Sequence, residues 1–171
     1  HTVFNEDDIQ VFDSFKHKSA IPEPYFEWVD IKGLSFVQEV EEIGNHYAIH
    51  PLALEDALNT QQRPKMEEYD NGIFYVMHLP ICKQDLSDIE IEQISFYWNE
   101  RILVSFQDNP DDTFHAISER LTDPRRRIRK KGIDYLAYIL IDYAIDSYYE
   151  VLEKLENEAQ EITSLLADEY Q

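Results

Sequence analysis

The sequence predicts an α/β (α+β) fold, an α/β/α sandwich with a mixed sheet, followed by the first part of a long stalk helix. Alternating and continuous apolar segments between residues 25 and 106 indicate strands, and helical patterns separate them. Because these elements do not follow a regular β-α-β order, we expect a mixed sheet. No proline or glycine interrupts residues 133–166, which predicts one long helix. We therefore expect an α/β domain over residues 1–132 and the start of the stalk over 133–171.

The strands are predicted from apolar patterns bounded by turn residues. Residues 1–20 are mixed and favour short strands or an irregular segment. Tyr25 to Ile31 alternates in the manner of a strand that ends before Gly33. Asp70-Asn71-Gly72 is a turn signal that predicts a hairpin. The remaining predicted strands are residues 66–69, 73–79, 89–98 and 102–106.

Three shorter helices are predicted. The first covers residues 34–43, with Gly44 and Asn45 at its C-terminus and an apolar face of Phe36, Val37, Val40 and Ile43. The second covers residues 51–59, where Pro51 suits the first helical position because its missing N–H costs nothing there. The third follows Pro110, with a buried face of Phe114, Ile117 and Leu121.

The long helix carries two parallel stripes. Apolar residues recur at steps of four and three, which is a heptad pattern: Ile141, Ile145, Tyr148, Leu152, Leu155, Ala159, Ile162 and Leu166. This stripe predicts packing against further helices, from absent sequence or neighbouring subunits. A polar ladder runs beside it: Asp142, Asp146, Glu150, Glu153, Asn157 and Glu161. Like charges at this spacing repel one another, so the ladder is either solvated or matched by cations.

The composition excludes several classes of function. A net charge of −20 argues against nucleic acid binding and favours cations. A single cysteine, Cys82, excludes an internal disulfide and a cysteine zinc cluster. Four glycines cannot form a Rossmann or Walker phosphate loop. No apolar run approaches the roughly 20 residues that cross a bilayer, so the chain is expected to be soluble.

Three other polar clusters contain residue types that can carry chemistry. His46 and His50 have the spacing of a helical zinc pair, but Pro51 starts a helix after His50, so we expect them on different faces. The basic run at residues 125–131 is expected to be a solvated connection between helices, and the alternative is a linker that pairs with acidic neighbours or approaches lipid headgroups. The carboxylates of residues 67–70 lack a neighbouring nucleophile or base, so no enzymatic activity is expected.

The most informative segment is residues 49–69. It contains His50-Pro51-Leu52-Ala53-Leu54-Glu55-Asp56 and, further on, Gln62-Arg63-Pro64-Lys65. This segment closely resembles the HPLxLED…QRPK signature of the CorA family of magnesium and cobalt transport channels. Residues 134–142 are similar to the DYLxYxLID segment that opens the family's stalk helix. The resemblance covers roughly residues 25–166 and does not extend to the first twenty residues.

The resemblance implies a cytosolic domain on the inner face of the cell membrane, within a homopentamer whose membrane helices lie beyond this chain. In this family, divalent cations bind between neighbouring cytosolic domains and favour the closed channel. The implied metal ligands are Glu55, Asp56 and Asp142, and Asp146 is a possible secondary acidic position. The implied ion is Mg²⁺ or Co²⁺, with no organic cofactor and no nucleic acid partner.

Two alternatives remain open from the sequence. One is the equivalent domain of a zinc-transporting relative, which ion preference would distinguish. The other is a stand-alone acidic interaction module, against which the unfinished heptad stripe argues. Glu55 and Asp56 are adjacent on a helix and point about 100° apart, so one subunit cannot easily bring both to a single ion. Two nearby ions, or one ion at a corner between subunits, are expected instead.

Overall fold

A computed structural model describes residues 1–15, 22–83, 85–125 and 127–169. Seven strands form one sheet: β1 (Thr2–Phe4), β2 (Ile9–Val11), β3 (Phe26–Lys32), β4 (Lys65–Tyr69), β5 (Gly72–Cys82), β6 (Ile89–Trp98) and β7 (Ile102–Gln107). Their order across the sheet is β2-β1-β3-β7-β6-β5-β4. The predicted strands are confirmed, and β1 and β2 show that the first residues add a hairpin at one edge. Residues 16–21 lie outside the described ranges.

The sheet is mixed, as the order of the elements predicted. All neighbouring strands are antiparallel except β3 and β7, which run parallel with Trp28 opposite Leu103. The crossover between these two strands contains α1 (Val37–His46), α2 (Pro51–Leu58) and the three strands β4 to β6. Tight turns at residues 70–71 and 99–101 join β4 to β5 and β6 to β7. The chain therefore builds half of the sheet before it returns beside β3.

Helices cover both faces of the sheet and form two separate apolar cores. Val40, Ile43, Ala53 and Leu54, from α1 and α2, pack with alternate residues of β5 and β6 on one face. On the other face pack α3 (His115–Thr122) and α4 (Ile133–Glu169). The side chains of β5 point to both cores: Phe74 and Val76 pack in the first core, and Met77 and Leu79 pack in the second. The predicted α/β/α sandwich is confirmed.

Helix α1 differs from its predicted limits and face. It begins at Val37, because Phe36 has a non-helical backbone (φ −96°, ψ 69°) and its side chain is 71% exposed. The predicted apolar face was wrong at Phe36 and at the partly exposed Val37, and right at Val40 and Ile43. Gly44 lies inside the helix instead of ending it. A Cβ atom there would lie 2.3 Å from Leu54 Cδ1, so the glycine allows α1 and α2 to approach closely.

Helix α3 begins later than predicted. Residues 108–114 form a turn that side chains hold: Asn109 Oδ1 accepts from the Asp111 N–H at 3.1 Å, and Gln107 Oε1 accepts from the Thr113 N–H at 3.2 Å. The helix itself starts at His115, and Phe114, Ile117 and Leu121 are buried as predicted. These side-chain bonds stabilise a turn before the helix, and this agrees with its late start.

Helix α4 contacts the sheet with a different stripe from the predicted heptad. Its most deeply buried side chains include Leu136, Leu140 and Ala144, one helical position (about 100°) away from the heptad positions Ile141 and Ile145. From Leu152 onward the heptad side chains are exposed. Across the described ranges, no helix is both long and apolar enough to span a membrane.

The close approach at Gly44 gives a test of the packing between α1 and α2. We expect Gly44→Ala to lower the free energy of unfolding by about 1–3 kcal/mol, because the new methyl overpacks against Leu54. The higher helix propensity of alanine opposes this loss by up to about 1 kcal/mol. Urea unfolding measures the change, with the exposed Asn45→Ala as control. Equal stability of the two variants would contradict the packing described here.

Candidate functional site

The start of α2 is fixed by His50. Its ring nitrogen Nδ1 accepts a hydrogen bond from the Leu52 N–H at 3.2 Å, and Pro51 occupies the first helical position. The imidazole also stacks on Tyr69, with 4.7 Å between ring centroids. His46 instead packs edge-on against Phe15 and Tyr47. The two histidines therefore have separate structural roles, as their different helical contexts predicted.

The two acids that follow on α2 have different environments. Glu55 is exposed and lines a groove between α1 and α2, together with Glu41, Asn45 and other residues. Asp56 is half-buried and accepts from Lys65 Nζ at 2.5 Å and from Gln62 Nε2 at 2.7 Å. The negative charge of Asp56 is thus matched by a cation of the same chain, while Glu55 faces solvent.

Asp142 and Asp146 lie in the other layer of the sandwich. Both are exposed on α4, which packs on the sheet face opposite α2. Asp146 lines a cleft of about 390 Å³ between α4, the end of β5 and the turn before α3, with Asp111, Asp112 and Glu150. The structure therefore brings Asp146 near new acidic residues, and separates Asp142 from Glu55 and Asp56 by the thickness of the sheet. Within the described ranges, no three His, Cys, Asp or Glu side chains are grouped to hold a metal ion.

Sequence reasoning missed Glu41 and Glu92. Glu41 faces the same groove as Glu55, and only the packing of α1 on α2 shows this. Glu92 is 4% exposed, and its carboxylate accepts from the Asn109 N–H and the Thr113 hydroxyl, both at 3.2 Å. The burial of Glu92 could have been predicted from the sequence. Residues two apart in a strand share a face, and Glu92 lies two residues before the buried Ile94.

Burial raises the pKa of Glu92 to about 6, against an ordinary value of 4.5. The two hydrogen bonds favour the ionised form, and the neighbouring charges of Asp108 and Asp111 disfavour it. Asp30, on β3, follows the same rule: burial raises its pKa although Ser105 and Gln107 donate to it. The carboxylates inside the fold are therefore disfavoured as anions.

The basic run is a set of local ion pairs and one buried side chain. Arg125 pairs with Asp123 at 3.0 Å, and Lys130 Nζ lies 2.5 Å from a carboxylate oxygen of Glu6. Arg129 is buried. Arg126 lies outside the described ranges. Residues 128–131 form a 3-10 turn, and Gly132 at a φ of 79° leads the chain into α4. The run connects α3 to α4 as expected, but it is not wholly solvated, because Arg129 is buried.

The matches to known proteins agree with this architecture. Residues 23–171 match the sequence profile of a family described as "CorA-like Mg2+ transporter protein". The chain belongs to the CorA family. It is 39% identical over 131 residues to the cobalt/magnesium transport protein CorA of Thermotoga maritima, an alignment that covers 77% of this chain and 37% of that protein. The chain thus spans well under half the length of this CorA relative.

Two solved structures share the fold. The complete CorA magnesium transporter of Methanocaldococcus jannaschii superposes with a TM-score of 0.73 at 18% identity, over 98% of this chain and 51% of that chain. The cytoplasmic domain of ZntB from Vibrio parahaemolyticus superposes with a TM-score of 0.65 at 14% identity, over 94% of this chain and 64% of that chain. The mixed sheet followed by a long helix is therefore the fold of CorA-family soluble domains.

Glu92 gives a pH-dependent prediction. Since its pKa is higher in the folded chain than the ordinary value of 4.5, its contribution to stability is fully present below 4.5 and is lost as pH rises through 6. Relative to Glu92→Gln, the wild type should therefore lose about 2 kcal/mol of unfolding free energy between acidic and neutral pH. Urea unfolding at several pH values measures this, with the exposed Glu90→Gln as control. A pH-independent difference between wild type and Glu92→Gln would refute it.

The contrast between Glu55 and Asp56 gives a second prediction. Asp56→Asn should lower the unfolding free energy by about 1 kcal/mol, because the partners Lys65 and Gln62 lose a charged acceptor. Glu55→Gln should change it little, because Glu55 is exposed. Thermal and urea unfolding of both variants without divalent metal provide the comparison. The assignment fails if the two substitutions have the same effect.

Proposed function

We propose that this chain is the cytosolic cation-sensing part of a CorA-family Mg²⁺/Co²⁺ transporter. Residues 1–132 form the sensing domain, and residues 133–171 form the first part of the stalk. Cations bridge neighbouring copies of the domain and favour the closed assembly. The chain works by binding and needs no catalytic step. In the assembled protein it lies on the cytoplasmic side of the membrane as one of five identical subunits.

One observation carries this proposal. The acids that the family signature singles out lie on both sides of the sheet, with Glu55 on α2 and Asp142 on α4. A single copy cannot place these two carboxylates around one ion, because the sheet and two apolar cores separate them. Two copies that meet α2 to α4 can do so. The arrangement therefore favours a site at the boundary between subunits.

The chemistry of the exposed acids suits a weakly bound, hydrated ion. Mg²⁺ prefers oxygen ligands and keeps several waters, so one or two carboxylates are enough to hold it. Glu55 is exposed, whereas Asp56 is bonded to Lys65 and Gln62. We therefore assign Glu55 as the residue that binds the ion directly. An ion that binds Asp56 competes with Lys65 at the β4 edge of the sheet. Asp142 supplies the second copy's carboxylate, and Asp146 stands one turn further along α4.

The charge of the chain explains why an ion would shift the assembly. Each copy carries a net charge of −20, so closely packed copies repel one another. A cation between two carboxylate surfaces stabilises the packed state through its higher affinity for that state. When the ion leaves, the repulsion favours separation. The coupling therefore requires no conformational change inside the domain.

A zinc-transporting relative is the second candidate. The cytoplasmic domain of ZntB shares the fold, but at 14% identity this likeness concerns the fold alone. Zn²⁺ prefers nitrogen and sulfur ligands. The ligands proposed here, Glu55 and Asp142, both offer carboxylate oxygens instead. Titration with Zn²⁺ beside Mg²⁺ separates the two functions. A stronger response to Zn²⁺ would favour the zinc candidate.

The proposal predicts cation-dependent association of this chain. At millimolar Mg²⁺ or Co²⁺, analytical ultracentrifugation should show larger species, and titration calorimetry should show saturable heat. Glu55→Gln/Asp142→Asn should abolish both responses, because it removes one carboxylate from each side of the interface. Glu42→Gln/Glu158→Gln, which neutralises two other exposed acids, is the matched control and should respond like the wild type. Equal responses of all three proteins would contradict the assignment.

A further inference from the structure

The second half of β5 forms an open edge of the sheet. Strand β4 pairs with β5 only from Gly72 to Val76, whereas β5 continues for six residues to Cys82. No strand pairs with this part on its outer side in the described chain. Pro80 lies within it, and a proline is accepted in a strand where its missing N–H faces away from the neighbouring strand. The outward backbone acceptors on this segment therefore need other partners.

Helix α4 supplies two of those partners. The Tyr148 hydroxyl donates to the carbonyl oxygen of His78, and Lys154 Nζ lies 3.5 Å from the carbonyl oxygen of Cys82. His78 and Cys82 are four residues apart in the strand, so their carbonyls point to the same side. The side chains of one helix thus occupy the edge where a neighbouring strand would otherwise pair.

Lys154 is unusual within α4. It is the single basic residue in a helix that carries ten acidic ones. It also acts on the segment that follows β5: the pKa of Asp85 is lowered by bonds from the Ser87 hydroxyl and N–H and further by the charge of Lys154. The Cys82 thiol donates to the Asp85 carbonyl, which ties that segment to the end of the strand. The one cation of the helix is therefore placed where β5 ends.

Both contacts lie where α4 leaves the domain. Val151, between Tyr148 and Lys154 in sequence, is buried, and every described side chain after Lys154 is exposed. Without the two contacts, α4 would be held at this point by the buried Val151 side chain and by its packing near the 3-10 turn at residues 86–88. Apolar contacts are not directional, so they permit a helix to pivot, whereas two hydrogen bonds fix a direction.

We propose that Tyr148 and Lys154 form a clamp on the open edge of β5 that sets the direction in which α4 leaves the sheet. Residues 155–169 then move with the α/β domain as one rigid body. The clamp is an interaction within one chain, so it is independent of cation binding and of the number of subunits. Any displacement of the domain is transmitted to the free part of the helix.

Distance measurements between spin labels test the clamp in the 171-residue chain. Labels are attached at Thr60→Cys and Gln160→Cys, both exposed, in a Cys82→Ser background that keeps the donor to Asp85. Tyr148→Phe/Lys154→Met removes both donors and retains the side-chain bulk. The matched control, Tyr149→Phe/Lys131→Met, removes a neighbouring exposed hydroxyl and an exposed cation. We expect a narrow distance distribution in the wild type and control, and a broader one in the clamp variant. Equal widths would overturn the proposal.

Hydrogen exchange separates the clamp from a general effect on stability. In the clamp variant, amides of residues 145–156 should exchange about fivefold faster, because each lost hydrogen bond weakens local protection. Exchange in the central strand β6 should not change. The proposal is refuted if α4 exchanges at the wild-type rate, or if β6 accelerates to the same extent as α4.

Discussion

The central strands bury both of their faces, because Phe74 and Val76 pack under α2 while Met77 and Leu79 pack under α4. Every functional feature of the chain depends on this separation of two cores by one sheet. It fixes α2 and α4 on opposite sides, and it directs the acids of the two helices away from each other. A rigid, two-sided sheet cannot bend to join them, because protein cores are close-packed. The fold therefore places the acids of the proposed site on two separate surfaces.

The distribution of charge follows from the same layers. Buried carboxylates such as Glu92 are satisfied by local hydrogen bonds, and Asp56 is paired with Lys65. Other acids, among them Glu55 and Asp142, are exposed to solvent and contribute to the net charge of −20. Solvent screens them in a single copy. In the proposed assembly their repulsion is strongest where two copies exclude water between them, and a divalent cation there would have the largest effect.

The sequence was informative where one signal decided the structure. Alternation identified the main strands, the turn at residues 70–72 identified the hairpin, and Pro51 identified the start of α2. Predictions failed where a neighbour decided instead. Gly44 was predicted to mark the end of α1, but it lies inside the helix, where the close contact with Leu54 requires a residue without a Cβ atom. The heptad of α4 predicts packing against further helices and stays a prediction, whereas the adjacent stripe that contacts the sheet was not predicted. The signature acids were recognisable from sequence, but the partner of Asp56 and the groove shared by Glu55 and Glu41 depend on tertiary packing.

The claim that one ion is held by two copies is tested most directly by mixing two variants. Glu55→Gln chains retain an intact α4 half-site, and Asp142→Asn chains retain an intact α2 half-site. If the site lies between copies, each variant alone shows no Mg²⁺-dependent association, and an equimolar mixture recovers it in ultracentrifugation because mixed pairs contain one complete site. If each ion is bound within a single copy, mixing restores nothing, and this result would contradict the account.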